Sequence, residues 1–116
     1  PPGTVNLLVA TDRHLDDSAL ASALATAVEA KTATVLSRTG FTGTTTDAVA
    51  VGTATSGERA AFVGSGTGLG VRLRACVRDA IGASLDAYYA EREVPDSVRA
   101  AENGRRTTAK TDVFEP

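Results

Sequence analysis

Several residue types are scarce or missing in this 116-residue sequence. It has no Met and no Trp, one Cys, one His, and two lysines beside ten arginines. One Cys excludes an internal disulfide framework and a multi-cysteine zinc site. A formal net charge of −2 argues against a general nucleic-acid binder. No uninterrupted apolar run approaches about 18 residues, and no basic, apolar leader is visible, so we predict a cytoplasmic protein without a membrane span.

What the sequence does contain is typical of one globular domain. Apolar residues make up 42% and charged residues 22%, and Ala and Thr fill almost a third of the chain. The missing Met is consistent with a trimmed chain or with a piece of a longer protein. Because a strand pattern begins by Thr4 with no lead-in, we expect a piece whose N-terminal portion is absent.

The hydrophobic pattern predicts the element order β-α-β-β-α followed by a polar tail. The strands are expected at 3–10, 47–52 and 60–64, and the helices at 19–36 and 69–92, with Asp16, Asp17 and Ser18 as N-cap candidates for the first. We predict an α/β domain over residues 1–94, in which two long helices pack on a small mixed sheet of three or more strands. Residues 95–116 are expected to form a short helix and a C-terminal tail. Such a sheet has an exposed edge, which predicts a homo-oligomer or pairing with the missing portion.

Each predicted helix has an apolar face. In the first helix, the residues that share a face at 100° per residue are Leu20, Leu24, Ala27, Val28, Lys31 and Val35. In the second, the stripe consists of Leu69, Leu73, Cys76, Val77, Ala80, Ile81 and Tyr88. Cys76 is therefore interpreted as a small hydrophobic core residue, and the lone His14 as a loop residue. No spacing of side chains is typical of a metal site.

Lys31 lies near the centre of the otherwise apolar face of the first helix. A buried ammonium group is costly without a partner, so such a lysine is a candidate acid, base or anchor for a substrate oxygen. The alternative is that its stem covers apolar surface while its ammonium group reaches water. Glu29 lies on the opposite side of the helix, where it cannot pair with Lys31, and pattern alone favours a solvated carboxylate.

Two loops contain further candidates. In the first, Thr42, Gly43, Thr44, Thr45 and Thr46 precede Asp47 at the entry of a strand. This loop could offer hydroxyl and N–H groups to a polar ligand, with Asp47 as hydrogen-bond acceptor or proton carrier, or it could be a turn capped by Asp47.

The second loop, Gly64-Ser65-Gly66-Thr67-Gly68-Leu69-Gly70, joins a strand to a helix. It is neither a dinucleotide fingerprint nor a Walker motif. It could bind an anion or a carbonyl group at the start of the helix, or be a tight turn.

Together these segments resemble the adenosylcobinamide amidohydrolases. Gly3-Thr4-Val5-Asn6 resembles the family's G-T-I-N, and Val28 to Ala33 resembles T-E-A-K-T-A. Thr42 to Asp47 is similar to T-G-T-G-T-D, except that Thr45 replaces the second Gly, and Gly64, Thr67 and Gly70 match A-G-x-x-T-x-x-G. Order and spacing agree over about residues 2–90. The Arg-rich, Thr-rich composition resembles that of archaeal proteins.

The resemblance implies an enzyme of corrinoid salvage, within cobalamin biosynthesis. It would hydrolyse the amide between the corrin ring and the aminopropanol arm of adenosylcobinamide, giving adenosylcobyric acid. Amide hydrolysis needs an activated water, a polarised carbonyl and a protonated leaving amine, and our hypothesis gives Lys31 and Asp47 the acid/base roles and Glu29 a supporting one. The implied substrate-binding residues are Thr42, Gly43, Thr44, Thr46, Gly64, Gly66 and Thr67. Cobalt belongs to the corrinoid, so no protein metal or cofactor is expected. A non-catalytic corrinoid- or nucleotide-binding module, or an inactive fragment, remains the alternative.

Overall fold

Two long helices and four short strands make up the part of the chain that the computed structural model describes, residues 4–94 and 109–113. The elements in order are β1 (Asn6–Thr11), β2 (His14–Leu15), α1 (Asp17–Thr39), β3 (Ala48–Thr53), β4 (Arg59–Ala60) and α2 (Gly68–Tyr88). The mixed α/β class is therefore confirmed. The short helix predicted after residue 95 lies outside the described residues, and residues 109–113 are exposed without regular structure.

The predicted single mixed sheet of three or more strands is not what the described residues form. They form two separate two-stranded sheets, and both are parallel: β1 pairs with β3, and β2 pairs with β4. The β1–α1–β3 connection explains the first pair, because a crossover helix returns the chain in the same direction. Strand β2 lies in the segment predicted to be a loop, since a two-residue strand has no visible periodicity.

The strand predicted at 60–64 is shorter, because α1 supplies hydrogen bonds that a sheet partner would have made. Only Arg59–Ala60 is a strand. The Val63 N–H donates to Ser22 Oγ at 2.8 Å, and Thr26 Oγ1 donates to the Val63 carbonyl at 2.7 Å. Val63 is fully buried with its backbone satisfied, so it needs no strand pairing.

Helix α1 begins and ends at caps that its sequence provides. Asp16 accepts a hydrogen bond from the Ala19 N–H at 2.9 Å, which confirms one of the N-cap candidates. Gly40 ends the helix with φ 81°, and its N–H donates to the Leu36 carbonyl at 2.9 Å. That left-handed conformation suits glycine.

The buried faces of the helices differ from the predicted ones. The buried residues of α1 are Ala19, Ala23, Thr26, Ala27, Ala30, Lys31, Thr34 and Val35, while Leu24 and Val28 are exposed. Small side chains let α2 pack closely along α1, so the interface follows Ala and Thr instead of the larger residues. In α2 the buried ridge is Gly70, Leu73, Val77 and Ile81, and Cys76 and Ala80 are exposed, which corrects their predicted place in the core.

The composition of α1 alone also permits another interpretation. An 18-residue window of this helix reaches a mean hydropathy of 1.2, which satisfies the length and hydropathy criteria for a membrane span. This segment contains no long uninterrupted apolar run, because Ser and Thr lie between its alanines. The buried face of α1, however, lies in the core of the fold, which accounts for the same apolar content.

The start of α2 provides a test of close packing. A Cβ at Gly70 would lie 1.8 Å from the Gly64 carbonyl oxygen, whereas one at Gly68 would meet nothing within 4 Å. Gly70→Ala is therefore expected to lower the free energy of unfolding by about 1–3 kcal/mol, since backbone must move. Gly68→Ala, at the first helical residue, should leave it unchanged or slightly higher. Chemical denaturation measures both, and equal stabilities would contradict the clash.

Candidate functional site

A buried ion pair joins the middle of α1 to the start of β3. Lys31 Nζ lies 2.7 Å from Asp47 Oδ2, and Lys31 is 7% exposed. The snorkelling alternative for Lys31 is therefore wrong, because its ammonium group points inward to a partner. The two residues come from two segments that sequence analysis singled out separately.

Asp47 is held by hydrogen bonds on both carboxylate oxygens. Oδ1 accepts from the Val5 N–H at 3.2 Å and from the Thr44 hydroxyl, and Oδ2 accepts from the Thr44 N–H at 3.0 Å as well as from Lys31. Partial burial acts to raise the pKa of Asp47, but the hydrogen bonds from Lys31 and Thr44 outweigh it and hold that pKa below the ordinary value of 3.8. Asp47 is thus ionised near neutral pH and fixes the geometry around Lys31.

Gly43 leaves room for this pair. A Cβ on Gly43 would lie 2.2 Å from Asp47 Oδ2 and 3.3 Å from Lys31 Nζ. Any larger residue would displace the carboxylate, so the glycine in the Thr-rich loop is required by the approach of the ion pair.

The remaining hydroxyls of this loop have different surroundings. Thr46 is tied to the segment before β1, because its hydroxyl donates to Thr4 Oγ1 at 2.8 Å and Thr4 donates to the Thr46 carbonyl at 2.7 Å. Thr42 is exposed. Of the predicted substrate-binding residues in this loop, Gly43 and Thr44 therefore contact the ion pair, and Thr42 and Thr46 do not.

The glycine-rich loop before α2 is a separate, internally bonded turn. The Gly64 carbonyl accepts from the Thr67 N–H at 3.0 Å and from the Thr67 hydroxyl at 2.8 Å. Thr67 also caps α2, since its Oγ1 accepts from the Gly70 N–H at 3.0 Å. Gly66 is exposed. The residues that position this loop, Ser22 and Thr26, were not predicted. Their signal in the sequence is a pair of hydroxyls four residues apart on an Ala-rich helix.

An open groove of about 1030 Å³ runs between α1 and α2. Its polar lining includes Glu29, Arg38, Ser65, Arg74 and Arg78. Two of the arginines in this lining form ion pairs, Arg38 with Asp86 and Arg78 with Asp79. Glu29 and Arg74 form no ion pair with each other. Glu29 is exposed on this side, so the structure confirms that it does not pair with Lys31.

The candidate residues thus do not form one site, and two regions stand out among them. Lys31, Asp47, Gly43 and Thr44 form the first, which we call the lysine cluster. Glu29, Ser65 and Arg74 belong to the second, the α1–α2 groove. The lysine cluster provides a fixed ammonium donor, a group suited to polarising a carbonyl oxygen. Within residues 4–94 and 109–113, no three His, Cys, Asp or Glu side chains are grouped as metal ligands.

Comparison with known proteins adds a family. The sequence model of the family described as adenosylcobinamide amidohydrolase matches residues 1–93. A Halobacterium salinarum protein named adenosylcobinamide amidohydrolase is 52% identical over 116 residues, which is the whole of this chain and 49% of that protein. The chain therefore spans about half the length of that curated relative. No solved structure matches it significantly.

The ion pair predicts an asymmetric mutational cycle. Asp47→Asn is expected to lower the free energy of unfolding by about 3 kcal/mol at neutral pH, because it leaves the Lys31 ammonium buried without its counter-charge. The double variant Lys31→Met/Asp47→Asn should lose less than the two single variants together. Denaturation curves of the four proteins measure the coupling, and strict additivity would contradict a mutually stabilising pair.

The same pair predicts a pH dependence. The folded state holds the pKa of Asp47 below the unfolded value of 3.8. The stabilisation that the ionised Asp47 contributes is therefore complete above pH 3.8, and it is lost as the pH falls through the pKa of Asp47 in the folded state. The stability difference between the unmodified chain and Asp47→Asn should therefore shrink in that acid window. A difference that stays constant from neutral pH into the acid range would show that the charge of Asp47 is not responsible.

Proposed function

The chain belongs to the adenosylcobinamide amidohydrolase family, and from that premise we propose that it carries the amide-cleaving machinery of this activity. The reaction is the hydrolysis of the amide that joins the corrin ring to the aminopropanol arm of adenosylcobinamide. Water supplies the oxygen of the new carboxyl group, the C–N bond breaks, and the departing nitrogen gains a proton. The products are adenosylcobyric acid and aminopropanol.

The observation that carries this proposal is the contact between Lys31 Nζ and Asp47 Oδ2. It unites two motifs, the segment 28–33 and the segment 42–47, each of which resembles the family's pattern. The two segments are separated in sequence by the end of α1 and a loop, yet they converge on one buried donor. Gly43 of the second segment lies against both groups, since a Cβ there would be 2.2 Å from Asp47 Oδ2 and 3.3 Å from Lys31 Nζ.

The geometry favours a division of labour within the lysine cluster. Lys31 donates a hydrogen bond to the amide carbonyl oxygen and stabilises the oxyanion that forms when water adds. It supplies the proton for the departing nitrogen and regains one from the water that added, so the proton lost by the water ends on the amine. Asp47, with its lowered pKa and both oxygens engaged, positions Lys31 and balances its charge. Thr44 completes the support of Asp47.

The α1–α2 groove is the second region in the proposal. Helix α1 packs against β3 and against α2, so its two sides face different surroundings. On the groove side, the Glu29 carboxylate is able to accept hydrogen bonds, and the Arg74 guanidinium and Ser65 hydroxyl are able to donate them. Neutral amides and hydroxyls, such as those around a corrin ring, need both kinds of partner. We assign Glu29 a supporting role in substrate binding, with Gly64, Gly66 and Thr67 shaping the loop from which Ser65 projects.

Several further assignments belong to the same proposal. Cobalt enters as part of the corrinoid, and the protein uses no cofactor of its own. The reaction serves corrinoid salvage and cobalamin biosynthesis in the cytoplasm of an archaeon, an assignment supported by a relative from Halobacterium. In the longer protein, the β1–β3 pair would become part of a sheet of three or more strands.

Replacing Lys31 tests the proposed reaction. The chain is incubated with adenosylcobinamide, and formation of adenosylcobyric acid is followed by chromatography. Lys31→Met should lower kcat by about 10²-fold or more, because it removes the charge at the developing oxyanion. Lys110→Met, at the other lysine of the sequence, which is exposed, should change nothing. The double variant Lys31→Met/Asp47→Asn separates the loss of catalysis from a loss of folding. It removes the carboxylate that Lys31→Met alone would leave unpaired, and it should still be inactive.

Two outcomes would contradict the proposal. Turnover by a folded Lys31→Met protein at the rate of the unmodified chain would exclude Lys31 from the reaction. Binding of the corrinoid by the unmodified chain without turnover would favour the non-catalytic binding module. The four hydrogen bonds that Asp47 accepts are compatible with that role too, because they hold the carboxylate in one position.

The groove predicts a different kinetic signature. Glu29→Gln and Arg74→Gln are each expected to raise KM by about 2- to 10-fold, the effect of one lost hydrogen bond, while kcat stays nearly constant. Arg72→Gln is the matched control, because Arg72 is exposed on α2 but does not line the groove. A large fall in kcat for Glu29→Gln would instead place the chemistry in the groove.

A further inference from the structure

One face of the β1–β3 sheet is uncovered within the described part of the chain. The register pairs Leu8 with Ala50 and Ala10 with Gly52, so these four residues lie side by side. All are exposed, as is Ala48 at the start of β3, and Leu8 is 83% exposed. The alternate residues of the same strands, among them Leu7 and Val9, face the helices and the core. Asn6, the partner of Ala48, is exposed on the same side. We call Asn6, Leu8, Ala10, Ala48, Ala50 and Gly52 the outer sheet face.

A bare face of this kind is unusual for a parallel sheet. Parallel strands normally have a layer on both faces, and their sequences are apolar on both sides for that reason. The outer sheet face carries no charged residue. Among residues 4–94 and 109–113, β1 and β3 pair only with each other, so each also has an unpaired outer edge. Two strands alone form a marginal sheet, and an exposed edge invites pairing.

The length of the Halobacterium salinarum relative suggests an occupant for this face. The whole chain matches 49% of the Halobacterium salinarum relative, so about half of that protein lies outside the match. We propose that this unmatched half packs on the outer sheet face as a second apolar layer, which makes β1 and β3 interior strands of the longer protein. The inference rests on family membership and on the sheet, and it is independent of the reaction proposed above.

The shape of the face fits a closely packed layer. Leu8 projects from a surface made of Ala and Gly with Asn6 at one end, and a Cβ at Gly52 would meet nothing nearer than the Val9 carbonyl oxygen at 3.9 Å. Side chains of a covering element can therefore approach the backbone closely. A segment of the same polypeptide also has an advantage over a second copy of the chain, because its effective concentration at the face is higher.

Co-expression tests the proposed layer. The 116-residue chain is produced together with the tagged part of the Halobacterium salinarum relative that lies outside the match, and co-purification and affinity are measured. Leu8→Lys should weaken the complex about tenfold or more, since it places a charge where a leucine would be buried. Leu24→Lys, at an exposed leucine of α1 outside this face, should not weaken it. Circular dichroism checks that both variants fold.

A second measurement covers the case in which the separate part does not fold. The two parts are joined in one polypeptide, and amide hydrogen exchange is compared with that of the 116-residue chain alone. Exchange in 6–11 and 48–53 should be slower in the joined protein. Three results would overturn the proposal. One is equal exchange in the joined protein and in the 116-residue chain, and another is a loss of affinity with Leu24→Lys as large as with Leu8→Lys. The third is a homodimer of the 116-residue chain that Leu8→Lys abolishes.

Discussion

The ion pair between Lys31 and Asp47 is the interaction on which the arrangement of this fold depends. It fixes the middle of α1 against the start of β3, and through the Val5 N–H it also fixes the segment that enters β1. A buried charge without a partner is costly, so the helix, the loop and the two strands must be in place together. The same constraint requires Gly43, because a side chain there would enter the carboxylate.

Hydroxyl groups complete the architecture where the sheets are too short to do so. Thr53 accepts a hydrogen bond from the Leu15 N–H and donates one to the Arg13 carbonyl, each at 2.8 Å. Ser22 and Thr26 hold Val63, and Thr67 closes the turn before α2. The abundance of Thr therefore has a structural reason: side-chain hydroxyls satisfy backbone groups that longer strands would satisfy.

The candidate chemistry is concentrated in few groups. Lys31 is the one lysine in residues 4–94, so it supplies the positive charge of the lysine cluster. The α1–α2 groove offers polar groups on the other side of the same helix. Helix α1 thus lies between the buried ion pair and an open polar groove.

Local signals in the sequence determined the two helices, the Asp16 cap and the α/β class, and they singled out Lys31 and Asp47 as candidates. Periodicity and a lone charge on an apolar face are visible in one dimension. Only the tertiary structure decided that Lys31 pairs with Asp47, that Glu29 faces the groove, and that Cys76 and Leu24 are exposed. It also replaced one mixed sheet by two parallel pairs. These outcomes depend on which surfaces meet, and the close approach of two Ala-rich helices selects a face that side-chain size alone does not reveal.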